Sequence, residues 1–211
     1  MIKVALLLDK SNDWIDKHIP RDLSDTSEIE LHKIYDEKKA QDFDIVFLLG
    51  YTKIIKDKTL KSNKLLLVVH ESELPKGRGF APLQWQILEG AKDITICLIE
   101  ALSLVDSGDI YEKTILSLNG TELYDEIRSK QAKVTFELIT RFLRKYPNHS
   151  ASRQMGEATT YPRRTAKDSK LNIDKTIRDQ FQLLRVCNNN DWPAFFEHSG
   201  SKYILKIYKD E

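Results

Sequence analysis

Four short runs, Ile2–Leu8, Asp44–Gly50, Leu65–Val69 and Ile94–Ile99, are apolar almost without interruption. A strand that reads this way is buried on both faces, as in a parallel sheet with helices on each side. Trp14–His18 suggests a short helix, and Pro82–Glu89 a second one ended by Gly90. The alternation of strand and helix predicts a doubly wound, mostly parallel α/β sheet. Glu28–Ile34 alternates apolar and polar residues and reads as a more exposed strand. Asp109–Leu118 alternates too and is expected to turn back along the sheet.

A long helix should start with Thr121 as N-cap. Its apolar stripe runs from Leu123, Tyr124 and Ile127 through Val134, Leu138, Ile139, Phe142 and Leu143. That spacing is a core face, not a binding site. Pro147 breaks the pattern. The expected organisation is an α/β core over 1–146 and a short C-terminal extension, 147–211, packed on it. The extension should hold a helix near Asp174–Val186 and a final strand at Tyr203–Tyr208.

The chain has 211 residues, of which 41% are hydrophobic and 31% charged, and it can bury a real core. A net charge of +1 gives no global field to gather a polyanion, so no nucleic-acid partner is expected. No apolar stretch approaches the ~18 residues of a membrane span. The start, Met1-Ile2-Lys3-Val4, lacks a secretory leader's basic region, so the expected location is cytoplasmic, with no membrane partner. Cys97 lies inside an apolar run, and Cys187 is isolated. His18, His32, His149 and His198 show no ligand spacing, and no metal is expected.

The chemistry gathers where strands should give way to loops. His70 ends the third apolar run, and Asp106 follows in Val105-Asp106-Ser107-Gly108. In open α/β sheets the carboxyl edge of the strands is where ligands bind. A histidine and an aspartate meeting there are the parts of a proton-transfer site. Taken singly, His70 also fits a surface or capping residue, and Asp106 a turn aspartate.

The segment His70-Glu71-Ser72-Glu73-Leu74-Pro75-Lys76-Gly77-Arg78-Gly79, with Pro82, Trp85, Asp106, Gly108 and Ile110, resembles the signature of the folate-dependent formyltransferases. That family includes methionyl-tRNA, glycinamide ribonucleotide and sugar N-formyltransferases. The resemblance implies a Rossmann-like formyltransferase core and 10-formyltetrahydrofolate as formyl donor. It implies His70 as the acid/base group and Asp106 as the residue that orients and stabilises its charged ring. The family pattern departs at one place: an asparagine two residues before the histidine is replaced by Val68. That asparagine is taken to hold the formyl oxygen as charge builds on it, so its replacement leaves the donor unidentified. Asn63 stands seven residues before His70, roughly 23 Å of extended chain, and reaches the site only if the chain bends.

By the same resemblance, Ser72–Gly79 should form the cofactor loop. Leu74 and Pro75 would wall the pterin pocket, and Gly79 would allow close approach. Gly50 and Tyr51 flank that pocket or simply end a strand. Ser103 and Val105 should offer backbone hydrogen bonds to the pterin. Arg78 and Trp85 are candidates for the acceptor substrate. So are Tyr161, Arg163 and Arg164, an aromatic beside cations that suits a base and a diphosphate. Arg164 fits equally as the helix-turn partner of Asp168. Phe195, with Trp192 and Phe196, either covers the sheet or stacks on an acceptor base. Together these predict an N-formyltransferase acting on the amine of a nucleotide-linked amino sugar. The alternatives are another small amine, such as glycinamide ribonucleotide, or a non-catalytic folate- or nucleotide-binding protein. A homodimer is one assembly left open.

Overall fold

The computed structural model describes residues 1–24 and 28–210. Its strands and helices, in chain order, are β1 (Ile2–Leu8), β2 (Ile29–Ile34), β3 (Ile45–Leu49), α1 (Asp57–Lys61), β4 (Leu65–His70), β5 (Arg78–Gly79), α2 (Pro82–Leu88), β6 (Asp93–Glu100) and β7 (Ile110–Ser117). They continue with α3 (Tyr124–Lys145), β8 (Thr160–Tyr161), α4 (Phe181–Val186), β9 (Ala194–His198) and β10 (Ser201–Leu205). Six strands form one sheet in the order β2-β1-β3-β4-β6-β7. The first four run parallel. β6 and β7 run antiparallel to their neighbours. The architecture is thus a mostly parallel, Rossmann-like α/β sheet.

Side-chain alternation sends each strand to two cores. Val4, Leu6 and Leu8 of β1, Phe47 of β3 and Leu67 of β4 face α2 and α3, where Leu83, Ile87, Leu138, Ile139 and Phe142 pack on them. Ala5, Leu7, Val46, Leu48 and Leu66 form the opposite core, with Ile55, Leu60 and Val68 packed against it. The apolar runs lack alternation because both faces are covered.

β6 differs from a simple parallel reading. It is as buried as β1 and β3, yet it is antiparallel. Burial on both faces decides hydrophobicity; strand direction leaves no such mark. The long helix starts at Tyr124, and Thr121 is not its cap: the Leu123 N–H donates to the Glu126 carboxylate instead. Thr121 bonds the Asn119 side chain within the preceding turn. In the tail the helix is shorter than expected, and the final strand is β10, paired with β9, which the sequence reading left unassigned.

The tail is tied to the start of α3 by a buried ion pair. Arg185 on α4 donates from Nε to the Glu122 carbonyl at 2.8 Å and from Nη2 to its carboxylate at 3.0 Å. The two side chains are 2% and 3% exposed. Burial alone would raise the Glu122 carboxyl. The Lys130 ammonium and the N–H groups of Asn119, Glu122 and Gly120 outweigh it and hold it at about 2. Arg185→Ala removes one partner of a buried pair, which costs about 3–5 kcal/mol. The low end is expected, because Lys130 and two backbone amides stay on Glu122. Denaturant unfolding measures it. The folded carboxyl lies below its unfolded value, so its stabilisation is full above the ordinary range near 4.5 and is lost as pH falls toward 2.

Candidate active site

β4 delivers His70 to the rim of the sheet. Positions 66, 68 and 70 share a face, so Val68 and His70 look the same way. His70 is 4% exposed. Its Nε2 lies 2.8 Å from the Gly77 carbonyl, which can only accept. Nε2 is thereby turned to that carbonyl, and Nδ1 is the ring nitrogen turned the other way. Nδ1 faces Asp106 Oδ2 at 3.5 Å. The same carboxylate oxygen takes the Gly79 N–H at 2.9 Å. The carboxylate is thus held against the Nδ1 edge of the ring.

Two backbone features hold this geometry. Gly79 has φ +98, and a Cβ there would lie 2.5 Å from the Tyr161 carbonyl. Gly108 packs on the end of β6, where a Cβ would meet the Glu100 carbonyl at 2.0 Å. Neither position tolerates a side chain without backbone movement. Asp106 itself has φ +53, a left-handed conformation that non-glycine residues rarely adopt.

His70 and Asp106 border a cleft of about 600 Å³ at the carboxyl edge of β1, β3 and β4. On one side lie Leu48, Val68, Ile99, Ala101, Leu102 and Val105, with Gly50–Ile55 along the rim. On the other lie Trp14, Glu71, Gln84, Tyr124, Arg128 and Gln131. Phe80, Arg163, Arg164 and Trp192 also line it. Arg128 sits between the Trp14 and Tyr124 rings, 4.5 and 5.0 Å from their centroids. Glu71 accepts from Gln131 at 2.5 Å. Burial lifts its carboxyl above the usual range, against the pull of His70 and Arg128.

Of the sequence candidates, the cleft gathers His70, Asp106, Gly50, Tyr51, Gly79, Val105, Arg163 and Arg164. Arg163 stacks on Phe80 at 4.0 Å and donates to the Thr52 carbonyl. Others stand elsewhere. Leu74 is 3% exposed and packs with Cys97, Ile99 and Ile110, and Pro75 is buried beside it, so they support the loop from below and do not wall the cleft. Ser72 is buried in the same layer. Ser103 is exposed and off the cleft lining.

Arg78 is turned away onto Gln154. Trp85 donates to the Pro162 carbonyl and stacks on Tyr161, whose hydroxyl donates to Glu89. Both are scaffold for the segment that crosses the motif loop. Phe195 is buried in the C-terminal hairpin under Lys202. Asn63 caps chain turns far from the cleft: its side chain serves Phe43, Ala40 and Thr59. Among the described residues no group of three His, Cys, Asp or Glu is placed to hold a metal ion. No described helix is long and apolar enough to cross a membrane.

Trp14, Glu71, Arg128 and Gln131 also border the cleft and are not among the sequence candidates. One signal was available. Gln131 lies four residues after Ile127 and is 1% exposed, a polar residue in the apolar stripe of α3. A buried polar residue at a core position needs a partner, and here that partner borders the cleft.

Comparison with known proteins gives a consistent result. A family model described as formyl transferase matches residues 8–143. The methionyl-tRNA formyltransferase of Rickettsia prowazekii (strain Madrid E) is 31% identical over 183 residues, covering 82% of this chain and 57% of the relative. That of Rickettsia typhi (strain ATCC VR-144 / Wilmington) is 31% identical over 180 residues, covering 81% and 56%. The chain therefore spans little more than half the length of these curated relatives. Among solved structures, a methionyl-tRNA formyltransferase from Clostridium thermocellum superposes with a TM-score of 0.85 at 22% identity, over 100% of this chain and 94% of the other. A 4-N formyltransferase from Francisella tularensis gives 0.72 at 16% identity, over 100% and 98%. HypX from Aquifex aeolicus, in complex with tetrahydrofolic acid, gives 0.71 at 13% identity, over 96% and 37%. With its motif, its fold and this match over most of its length, the chain belongs to the folate-dependent formyltransferase family.

Proposed function

We propose that the protein is an N-formyltransferase that moves the formyl group of 10-formyltetrahydrofolate to the primary amine of a nucleotide-linked amino sugar. The observation that carries this reading is the Nδ1 edge of His70, facing Asp106 across 3.5 Å inside the cleft. The amine forms a bond to the formyl carbon, and the bond from that carbon to the folate nitrogen breaks. His70 takes the amine's proton at Nδ1 and returns it to the departing nitrogen. Asp106 stabilises the imidazolium between the two transfers. The apolar side of the cleft, Leu48, Val68, Ile99 and Val105, suits a flat pterin ring.

Among the lining residues, Arg163, Arg164, Phe80 and Trp192 offer cations and aromatic rings, which suits a diphosphate and a base. A second reading has methionyl-tRNA as acceptor. It is favoured by the methionyl-tRNA formyltransferases that share 31% identity with this chain. The net charge of +1 argues against a long polyanionic acceptor. A direct competition separates them. Wild-type protein is given formyl-labelled cofactor with a nucleoside diphosphate 4-amino-4,6-dideoxyhexose and methionyl-tRNA in one mixture. Label on the amino sugar is expected. Label confined to methionyl-tRNA overturns the sugar reading and leaves the reaction standing.

A further inference from the structure

Residues 152–161 cross both loops that carry the site. Ser152 bridges Ile110, just after the Asp106 turn. The Thr159 carbonyl accepts the Arg78 N–H at 2.9 Å. Thr160 and Tyr161 pair with Arg78 and Gly79 as the short β5–β8 ladder. Gln154 is the side chain in this strap that holds both loops at once. Its Nε2 donates to the carbonyls of Asp106 and Gly108, each at 2.8 Å. Its Oε1 accepts from Arg78 Nε at 3.2 Å and Nη2 at 2.6 Å. Arginine can only donate, so it fixes which end of the amide faces which loop.

We propose that Gln154 is the positioning residue of Asp106: it pins the carbonyls on both sides of that turn and so aims the carboxylate at His70, while Arg78 aims Gln154. This rests on the reaction proposed above. The turn needs such a hold, because Asp106 occupies the left-handed region, where a side chain persists only if its surroundings enforce it. Arg78 thereby has a role two steps removed from the ligand. A residue late in the chain becomes part of the proton-transfer geometry.

Two variants test this. Gln154→Glu keeps oxygens for Arg78 but loses the donor and sets a carboxylate against two carbonyls. Gln154→Ala loses both ends. A carboxylate displaced by about 1 Å costs about 10²-fold in turnover. Both variants should therefore lose kcat on that scale, with the cofactor KM little changed. A second readout needs no substrate. The Gly79 N–H donates to the Asp106 carboxylate, so its hydrogen-exchange protection should fall about tenfold or more, while Phe47 in the central sheet keeps its own. Unchanged Gly79 protection, or equal losses at Gly79 and Phe47, overturns the proposal. If Gly79 responds selectively but wild type transfers formyl to no acceptor, the positioning of Asp106 is supported and the reaction alone is refuted.

Discussion

His70→Ala is expected to lower formyl transfer by about 10²–10⁴-fold, the usual contribution of a positioned general acid–base group. The buried ring has one nitrogen committed to the Gly77 carbonyl, so no other side chain inherits the orientation of Nδ1. The substitution also strands that carbonyl, which costs about 1–3 kcal/mol when the group stays buried. Circular dichroism should show the sheet intact, and cofactor binding should persist, because the apolar side of the cleft is built from other residues. Asp106→Asn should lose about 10²-fold or more in turnover. The asparagine retains an oxygen for the Gly79 N–H but no charge to stabilise a protonated ring. Activity within a few-fold of wild type in Asp106→Asn would reduce that residue to a turn former.

Val68→Asn should raise the rate. Val68 shares a strand face with His70, two residues away, and borders the cleft. An oxyanion donor is typically worth about 10²–10³ in kcat. An asparagine at this place branches one atom further out than valine and brings the N–H that the aliphatic chain lacks. The gain should come with a stability cost of about 1–3 kcal/mol, since an amide replaces a methyl pair packed against the apolar core on that face of the sheet. Steady-state kinetics beside thermal unfolding measure both. A slower or equal rate means that another group already holds the developing charge.

The fold was legible because covered strands write their burial into sequence. β1, β3, β4 and β6 each stand out as apolar runs, and Gly90 marks the end of α2. What stayed hidden has physical causes. Strand direction does not alter side-chain composition, so the antiparallel β6 looked parallel. The N-terminus of α3 is served by Glu126 reaching back, which competes with a threonine that prefers its own turn. At the site, the structure brings His70 and Asp106 of the motif to 3.5 Å, since β4 and β6 are neighbours in the sheet. Leu74, Pro75, Arg78 and Trp85 stand off the cleft lining, because side chains of this loop and of α2 turn according to what packs over them. Here the crossing segment carries Gln154 and Tyr161, about eighty residues away in sequence, a distance no local pattern reports.

His70, with Asp106 beside it, is expected to transfer a proton next to a bound formyl donor. A single-turnover experiment tests it most directly. Protein in excess is mixed with 10-formyltetrahydrofolate labelled in the formyl carbon and with the amine acceptor, and the label is followed by quench and chromatography. The account predicts that wild type moves the label to the amine within one turnover and His70→Ala leaves it on the folate. Label that remains on folate bound to the wild type, or that moves equally in both proteins, contradicts it.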